Sequence, residues 1–247
     1  MKLISVNIER NFHHETVIPF LLKENADVVC IQEIFEDKVE EYAKALSMSY
    51  IFKPMGRWSD KPNNRGIKDE GVMGIAIFSK NIVSYDYKYI VGEENNIPIF
   101  KHTTSPNERN ILNILVMWAN VVDKSGDIYT IANTHFTWTM DGSSTEYQRE
   151  DARKLVNILD TEPKDFVLVG DTNAPRGRET FDFIASKYTD NIPKEYTTSL
   201  DQELHRVKGL NLMVDCLFTT STYRADNVKL VSGVSDHMAV VADIIKN

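Results

Sequence analysis

The chain has 247 residues, with 28 Lys and Arg against 36 Asp and Glu for a formal charge of −8, which excludes a generally cationic nucleic-acid binder. At 42 % hydrophobic, 26 % charged and 10 % aromatic it is far from disordered, collagenous or coiled-coil composition, so a large core and a single domain over 1–247 are expected. The start, MKLISVNIERN, holds no uninterrupted apolar stretch and no small-residue cleavage site, and no segment reaches the roughly 18–20 apolar residues of a membrane span, so a cytoplasmic location is expected.

In chain order, apolar runs at Leu3–Ile8 and Asp27–Ile31 flank a helical pattern over Glu15–Asn25 with Pro19 early in it, a strand, helix, strand unit. Glu36–Leu46 spaces Val39, Tyr42, Ala43 and Leu46 as one helix face, and its remaining charges read as a solvated face. Short β-rich runs at Tyr50–Lys53, Val72–Ser79 and Ile82–Val91 lead to a longer pair, Asn110–Val122 and Ile128–Phe136. Asp123–Asp127 between them predicts a hairpin with a five-residue loop. Helix Glu146–Leu159, strand Phe166–Gly170, helix Glu179–Tyr188 and strands at Leu212–Thr219, Val228–Val231 and His237–Ile245 complete the chain, so two sheet-rich halves are expected to follow one another. Strands predominate and helices intersperse them, which predicts an α/β fold of two packed, mainly antiparallel or mixed sheets flanked by helices. Residues 54–71 and 188–211 are rich in Pro, Gly, Asn and charge, and loops this long usually carry function or move.

Polar residues recur where the apolar runs end: Asn7 after LISV, Glu33 after VVCIQ, His135 after YTIANT, Asp171 after FVLVG, Asp215 after LMV, and Asp236-His237 before MAVVADI. Any one of these is ordinarily a cap or turn former, and Asp171-Thr172-Asn173 alone reads as an Asx turn. Brought together, they place several carboxylates beside amides and imidazoles, a set that repels itself unless a cation is present. Oxygen ligands without a thiolate suit Mg²⁺, or Mn²⁺, better than Zn²⁺. Cys30 lies three residues from Glu33 and hence on the opposite strand face, and neither it nor Cys216 suggests a disulfide framework. Ser235 before Asp236-His237 does not make a serine hydrolase, because adjacent strand side chains diverge and no GxSxG elbow is present.

The ordered set SVNIE, CIQEI, NTHFTW, LVGDTN, MVDCLF and GVSDHMAV resembles the endonuclease/exonuclease/phosphatase superfamily, over nearly the whole chain from Asn7 to His237. The resemblance implies a four-layer α/β sandwich and Mg²⁺-dependent hydrolysis of a phosphoester by activated water, with nucleic acid among the admissible substrates and no obligate protein partner. By the same resemblance, Glu33, Asn7 and Asp236 serve the metal, while Asp171 and Asn173 activate and position water. His237 contacts phosphate, Asp215 orients it, and His135 is the second active-site imidazole. A carboxylate held against an imidazole favours the imidazolium, which suits an anionic transition state.

Outside this set, Arg57, Trp58, Lys61, Arg65 and Lys68 in the first long loop read either as a substrate lip or as a solvated mixed-charge loop. Trp138 flanks the substrate or covers a sheet edge. Arg109 and Arg206 reach a phosphate or pair with surface acids. His13, His14 and His102 fall outside the strand-end pattern, and His13-His14 reads as an exposed turn. Two other readings are a binding module that has lost catalysis, which would show as substitutions in the motif set, and a membrane-surface sphingomyelinase-like phospholipase, which would carry an exposed apolar hairpin or a basic amphipathic helix.

Overall fold

Strands β1 (Lys2–Asn7) and β2 (Val28–Phe35) are buried along nearly their whole length, which is why KLISVN and VVCIQEIF read as apolar runs rather than as alternation. They pair in parallel at the centre of a six-stranded sheet, across the helix that connects them. The structure is a computed structural model that describes residues 1–59, 66–101 and 108–247; Lys61, Arg65 and His102 lie outside the described residues. The remaining strands are β3 (Ser49–Trp58), β4 (Gly71–Ser79), β5 (Ile82–Val91), β6 (Ile114–Val122), β7 (Ile128–His135), β8 (Val167–Asp171), β9 (Thr189–Asp190), β10 (Asp215–Thr219), β11 (Tyr223–Val231) and β12 (Ala239–Lys246). The first sheet runs β11-β12-β1-β2-β4-β3 and the second β5-β6-β7-β8-β10-β9. Each has one parallel pair at its middle, β1 with β2 and β7 with β8, and antiparallel neighbours outside it.

Helices α1 (His14–Glu24) and α2 (Glu36–Leu46) cover the first sheet, where Val17, Leu21, Val39 and Tyr42 pack with Ile4, Val6 and Ile31. On the second sheet, α3 (Glu146–Thr161) and α4 (Glu179–Ala185) bury Leu155, Leu159 and Phe181 in a cluster that continues between the sheets through Leu3, Cys30, Met117 and Val169. The result is the expected α/β sandwich of two mixed sheets flanked by helices. Both cysteines are free and buried.

A polar lock crosses this interior just below the strand ends. Gln32 Nε2 donates to Ser5 Oγ (3.1 Å) and to Asn133 Oδ1 (2.7 Å), and Asn133 Nδ2 donates to the carbonyls of Ile31 (3.2 Å) and Ala76 (3.0 Å). Buried amide donors spent across the interface in this way fix the register of one sheet against the other, which an apolar interface alone does not, although Gln32 Oε1 is itself buried without a hydrogen-bond partner.

The sheets are not successive halves of the sequence. Strands β1–β4 and β11–β12 form one, and β5–β10 lie between them in the other, because β12 returns to pair with β1. The hairpin of β6 and β7 around residues 123–127 is as expected. Several boundaries move. Residues 54–58 continue β3 in ladder with β4, so Arg57 and Trp58 belong to a strand rather than to a loop. Residues 110–113 precede β6, since Asn113 gives its backbone N–H to Met55 and its side chain to the carbonyls of Glu93 and Asn96. Residues 212–214 precede β10, their carbonyls accepting from Ser199, Arg176 and Thr172.

Candidate active site

Three neighbouring strands of the second sheet end on functional groups in register: His135 stands opposite Asp171 in the β7/β8 pair, and Asp171 opposite Asp215 in the β8/β10 pair. Glycine makes this possible at Gly170, whose φ is +132° and where a Cβ would lie 1.9 Å from the Thr134 carbonyl oxygen. Asn173, at φ +49°, closes a turn in which its N–H donates to Asp171 Oδ1 (2.8 Å) and its Nδ2 to the Phe136 carbonyl (3.1 Å). The Asx-turn reading of this tripeptide therefore holds.

Like charges directly across a ladder repel. Between Asp171 and Asp215 the structure sets His237, from the turn before β12, with Nδ1 2.8 Å from Asp215 Oδ2 and Nε2 3.8 Å from Asp171 Oδ2. Burial opposes charge on this imidazole, but Asp215, then Asp171, outweigh it and hold it protonated well above the usual histidine range. Burial raises the Asp171 carboxyl, with Asp215 adding to the rise and His237 opposing it. A carboxylate raised in this way is a better proton acceptor than an exposed one.

The first sheet contributes Asn7 and Glu33. Simple alternation in β2 would turn Glu33 toward the helices, but the ladder with β4 is broken between Ile31 and Ile34, and Glu33 sits there at φ +57°. The bulge re-aims the side chain to the sheet end. Asn7 Nδ2 then donates to Glu33 Oε1 (3.3 Å) and Asp171 Oδ2 (3.1 Å), joining the two sheets' contributions. His135 Nε2 lies 3.6 Å from both Glu33 Oε1 and Asp171 Oδ2, and its buried Nδ1 has no hydrogen-bond partner. Burial would raise the Glu33 carboxyl, yet Arg10, then His135, bring it down to about 2. Asp236 follows the opposite course: burial lifts it to about 6, with Glu9 and Glu33 adding and His237 opposing.

Arg10, Glu33, His135, Asp171, Asn173, Asp236 and His237 line one cleft of about 260 Å³, together with Trp58, Trp138, Arg206 and Leu210. Its donors are carboxylate, amide and imidazole, and the only cysteines are buried elsewhere, so the set fits a hard divalent ion and not a thiolate-seeking one. Two groups bring possible ligand atoms within 4.8 Å of one another, Asp171–Asp215–His237 and Glu9–His13–Asp236. The second was not anticipated. His13 is buried with Nε2 3.0 Å from Glu9 Oε2, and His14 contacts Tyr42 and Asn11, so the pair is not an exposed turn. Arg10 was also missed, although Glu9 and Arg10 follow the SVN strand end by only two and three residues.

Of the expected substrate contacts, Trp138 lines the cleft. Arg109 does not come to it: Nη1 lies 2.5 Å from the buried Asp151, with the guanidinium 5.0 Å from the Tyr147 ring centroid. Arg57 is exposed and joins the 98–100 segment through its backbone. Trp58 has one ring face stacked on Phe100 (3.7 Å, 8°) and Arg10 5.1 Å from its centroid, so its ring is already engaged.

The family model described as the endonuclease/exonuclease/phosphatase family matches residues 4–237. No curated protein matches the chain. Among solved structures, an endonuclease/exonuclease/phosphatase from Bacteroides vulgatus is 15 % identical with TM-score 0.72, covering 100 % of this chain and 98 % of that one. The mannosyl-6-phosphatase of Bacteroides thetaiotaomicron is 13 % identical with TM-score 0.72, covering 99 % of each chain. The human nocturnin catalytic domain with bound sulfate is 16 % identical with TM-score 0.66, covering 100 % of this chain and 94 % of that one. At such identities the likeness establishes the fold. No helix among the described residues is long and apolar enough to cross a membrane.

Proposed function

The chain belongs to the endonuclease/exonuclease/phosphatase family, and from that premise we propose that it hydrolyses phosphoester bonds with Mg²⁺ or Mn²⁺, as a phosphodiesterase, nuclease or phosphatase. The observation that carries this reading is the in-register row His135–Asp171–Asp215, with His237 bridging the two carboxylates and Glu33 facing them across the cleft. Asp171, raised by its surroundings and braced by the Asn173 turn, takes a proton from a water aimed at phosphorus. His237, held charged by Asp215, donates to a phosphoryl oxygen as negative charge grows there. His135 places a second imidazole beside the same centre, and Asn173 helps position the water. Glu33, Asn7 and Asp236 hold the cation, which when bound supplies Lewis-acid stabilisation of the phosphoryl oxygens. Trp138 forms part of the wall against the rest of the substrate.

A hydrolysis panel tests the proposal: abasic DNA, single-stranded DNA, 5′-phosphotyrosyl DNA, sugar phosphates, inositol phosphates, sphingomyelin and bis-p-nitrophenyl phosphate, each with Mg²⁺, with Mn²⁺ and with chelator. Turnover of at least one substrate is expected, lost with chelator and in Glu33→Ala. Turnover that survives both, or none on any substrate, overturns it.

A further inference from the structure

Arg10 grips Glu33 through both its main chain and its side chain. Its backbone N–H donates to the Glu33 carbonyl (3.0 Å), and Nη1 lies 2.5 Å from Glu33 Oε2. Two successive left-handed residues, Glu9 at φ +45° and Arg10 at φ +61°, fold the chain back so that this is possible. Such conformations cost non-glycine residues of order 1 kcal/mol each and persist where surrounding contacts over-determine them. The side chain is held further by Asp69, whose Oδ1 accepts from Nε (2.8 Å), and by the Trp58 and Phe12 rings, 5.1 and 5.6 Å from the guanidinium carbon. Only 12 % of it is exposed, and it lines the catalytic cleft.

A surface ion pair needs none of this. What distinguishes Arg10 is which oxygen it takes. A carboxylate that bridges two metal ions uses both oxygens, whereas Glu33 has Oε2 committed to the guanidinium and only Oε1 turned toward Asn7 and His135.

We propose that Arg10 is a positioning residue that stands where a second metal ion would otherwise sit, so that the centre takes a single divalent cation on the inner oxygen of Glu33. This rests on the reading of the cleft as a metal-dependent hydrolase. It separates two properties that a merely structural arginine would lose together. Removing the guanidinium removes a positive charge that repels the metal and competes for Glu33, so affinity rises, while loss of its grip on Glu33 lowers turnover.

The test is Mn²⁺ titration by calorimetry and electron paramagnetic resonance on the wild-type chain, Arg10→Gln and Arg10→Lys, with Glu33→Ala identifying the ion at this centre. One ion per chain is expected in the wild type. Arg10→Gln should bind Mn²⁺ about tenfold more tightly or take a second ion, with kcat falling at least tenfold. Arg10→Lys, which keeps the charge, should keep wild-type stoichiometry and affinity within about threefold. Two ions at the wild-type centre, or unchanged or weaker binding in Arg10→Gln, overturns the proposal while the hydrolase reading stands. If Arg10→Gln does not fold, wild-type stoichiometry and the Arg10→Lys affinity still decide. A wild-type chain that binds no Mn²⁺ removes the hydrolase reading and this inference together.

Discussion

Asp215→Asn replaces the carboxylate that holds His237 with an isosteric amide at the end of a 2.8 Å contact, both side chains being at most 9 % exposed. Removing one member of a buried pair commonly costs about 3–5 kcal/mol, because the other charge is left without its partner. If most of that loss falls on the transition state, kcat/KM drops roughly 10²- to 10³-fold, at about 1.4 kcal/mol per tenfold. The pH dependence has a definite sign. In the native protein His237 is held protonated well above its ordinary range, so the alkaline fall in kcat/KM should lie well above neutrality. In Asp215→Asn burial is no longer countered by the nearest carboxylate, and that limb should move to lower pH. Stability follows the same linkage: a raised folded pKa contributes in full below the unfolded value near 6.5 and is lost as pH rises through the folded value. The stability difference between wild type and Asp215→Asn should thus be widest in mild acid and shrink toward alkaline pH. A double-mutant cycle with His237→Ala on a verified substrate isolates the pairing, since Asp215 has little left to orient once the imidazole is gone. Fully multiplicative losses, or an unmoved alkaline limb, would refute the account and leave Asp215 acting elsewhere.

Asp171→Asn should keep the fold by circular dichroism and lose roughly 10²-fold or more in turnover, the scale of a removed acid/base group; wild-type turnover would remove Asp171 from the role. Glu33→Ala should strongly weaken Mg²⁺ or Mn²⁺ binding by calorimetry, and unchanged affinity would move the ion elsewhere. Gly170→Ala drives a Cβ to within 1.9 Å of the Thr134 carbonyl oxygen at a φ that alanine rarely adopts. A cost of about 3 kcal/mol or more is expected, read as a Tm drop of roughly 6–12 °C, and a Tm within 2 °C of wild type would show that β7 and β8 tolerate separation.

The order of the elements was legible because the central strands are buried on both faces and end abruptly in polar residues. Asn7, His135 and Asp171 are each the last residue of a strand, and Asp215 is the first. Glu33 was found for its position after an apolar run, but alternation points it the wrong way, and no feature of CIQEI announces the bulge that re-aims it. Arg109 was placed by its charge alone, and sequence gives no measure of how near Asp151, 42 positions away, would come. The interleaving of the sheets was missed for a related reason: the β1–β12 pairing is carried by no local signal, only by the match of two apolar faces from opposite ends of the sequence.

That pairing also sets when the first sheet can close during synthesis. The backbone contact from Met1 to Ile244 spans 243 positions, and Asp236 and His237 sit in the turn that leads into β12. The second sheet, whose strands all lie between residues 82 and 219, has its full complement of chain as soon as β10 has emerged, whereas the first must wait with the outer edge of β1 unpaired until β12 is made. Long-range closure of this kind is slow and comes late. A nascent chain therefore carries Asn7 and Glu33 for most of its translation, and gains His135 and Asp171 only in its second half, before the His237 imidazole that sits between Asp171 and Asp215 is made. Ribosome-bound intermediates should lack the complete cleft until β12 docks, so the β1–β12 pairing also completes the candidate site.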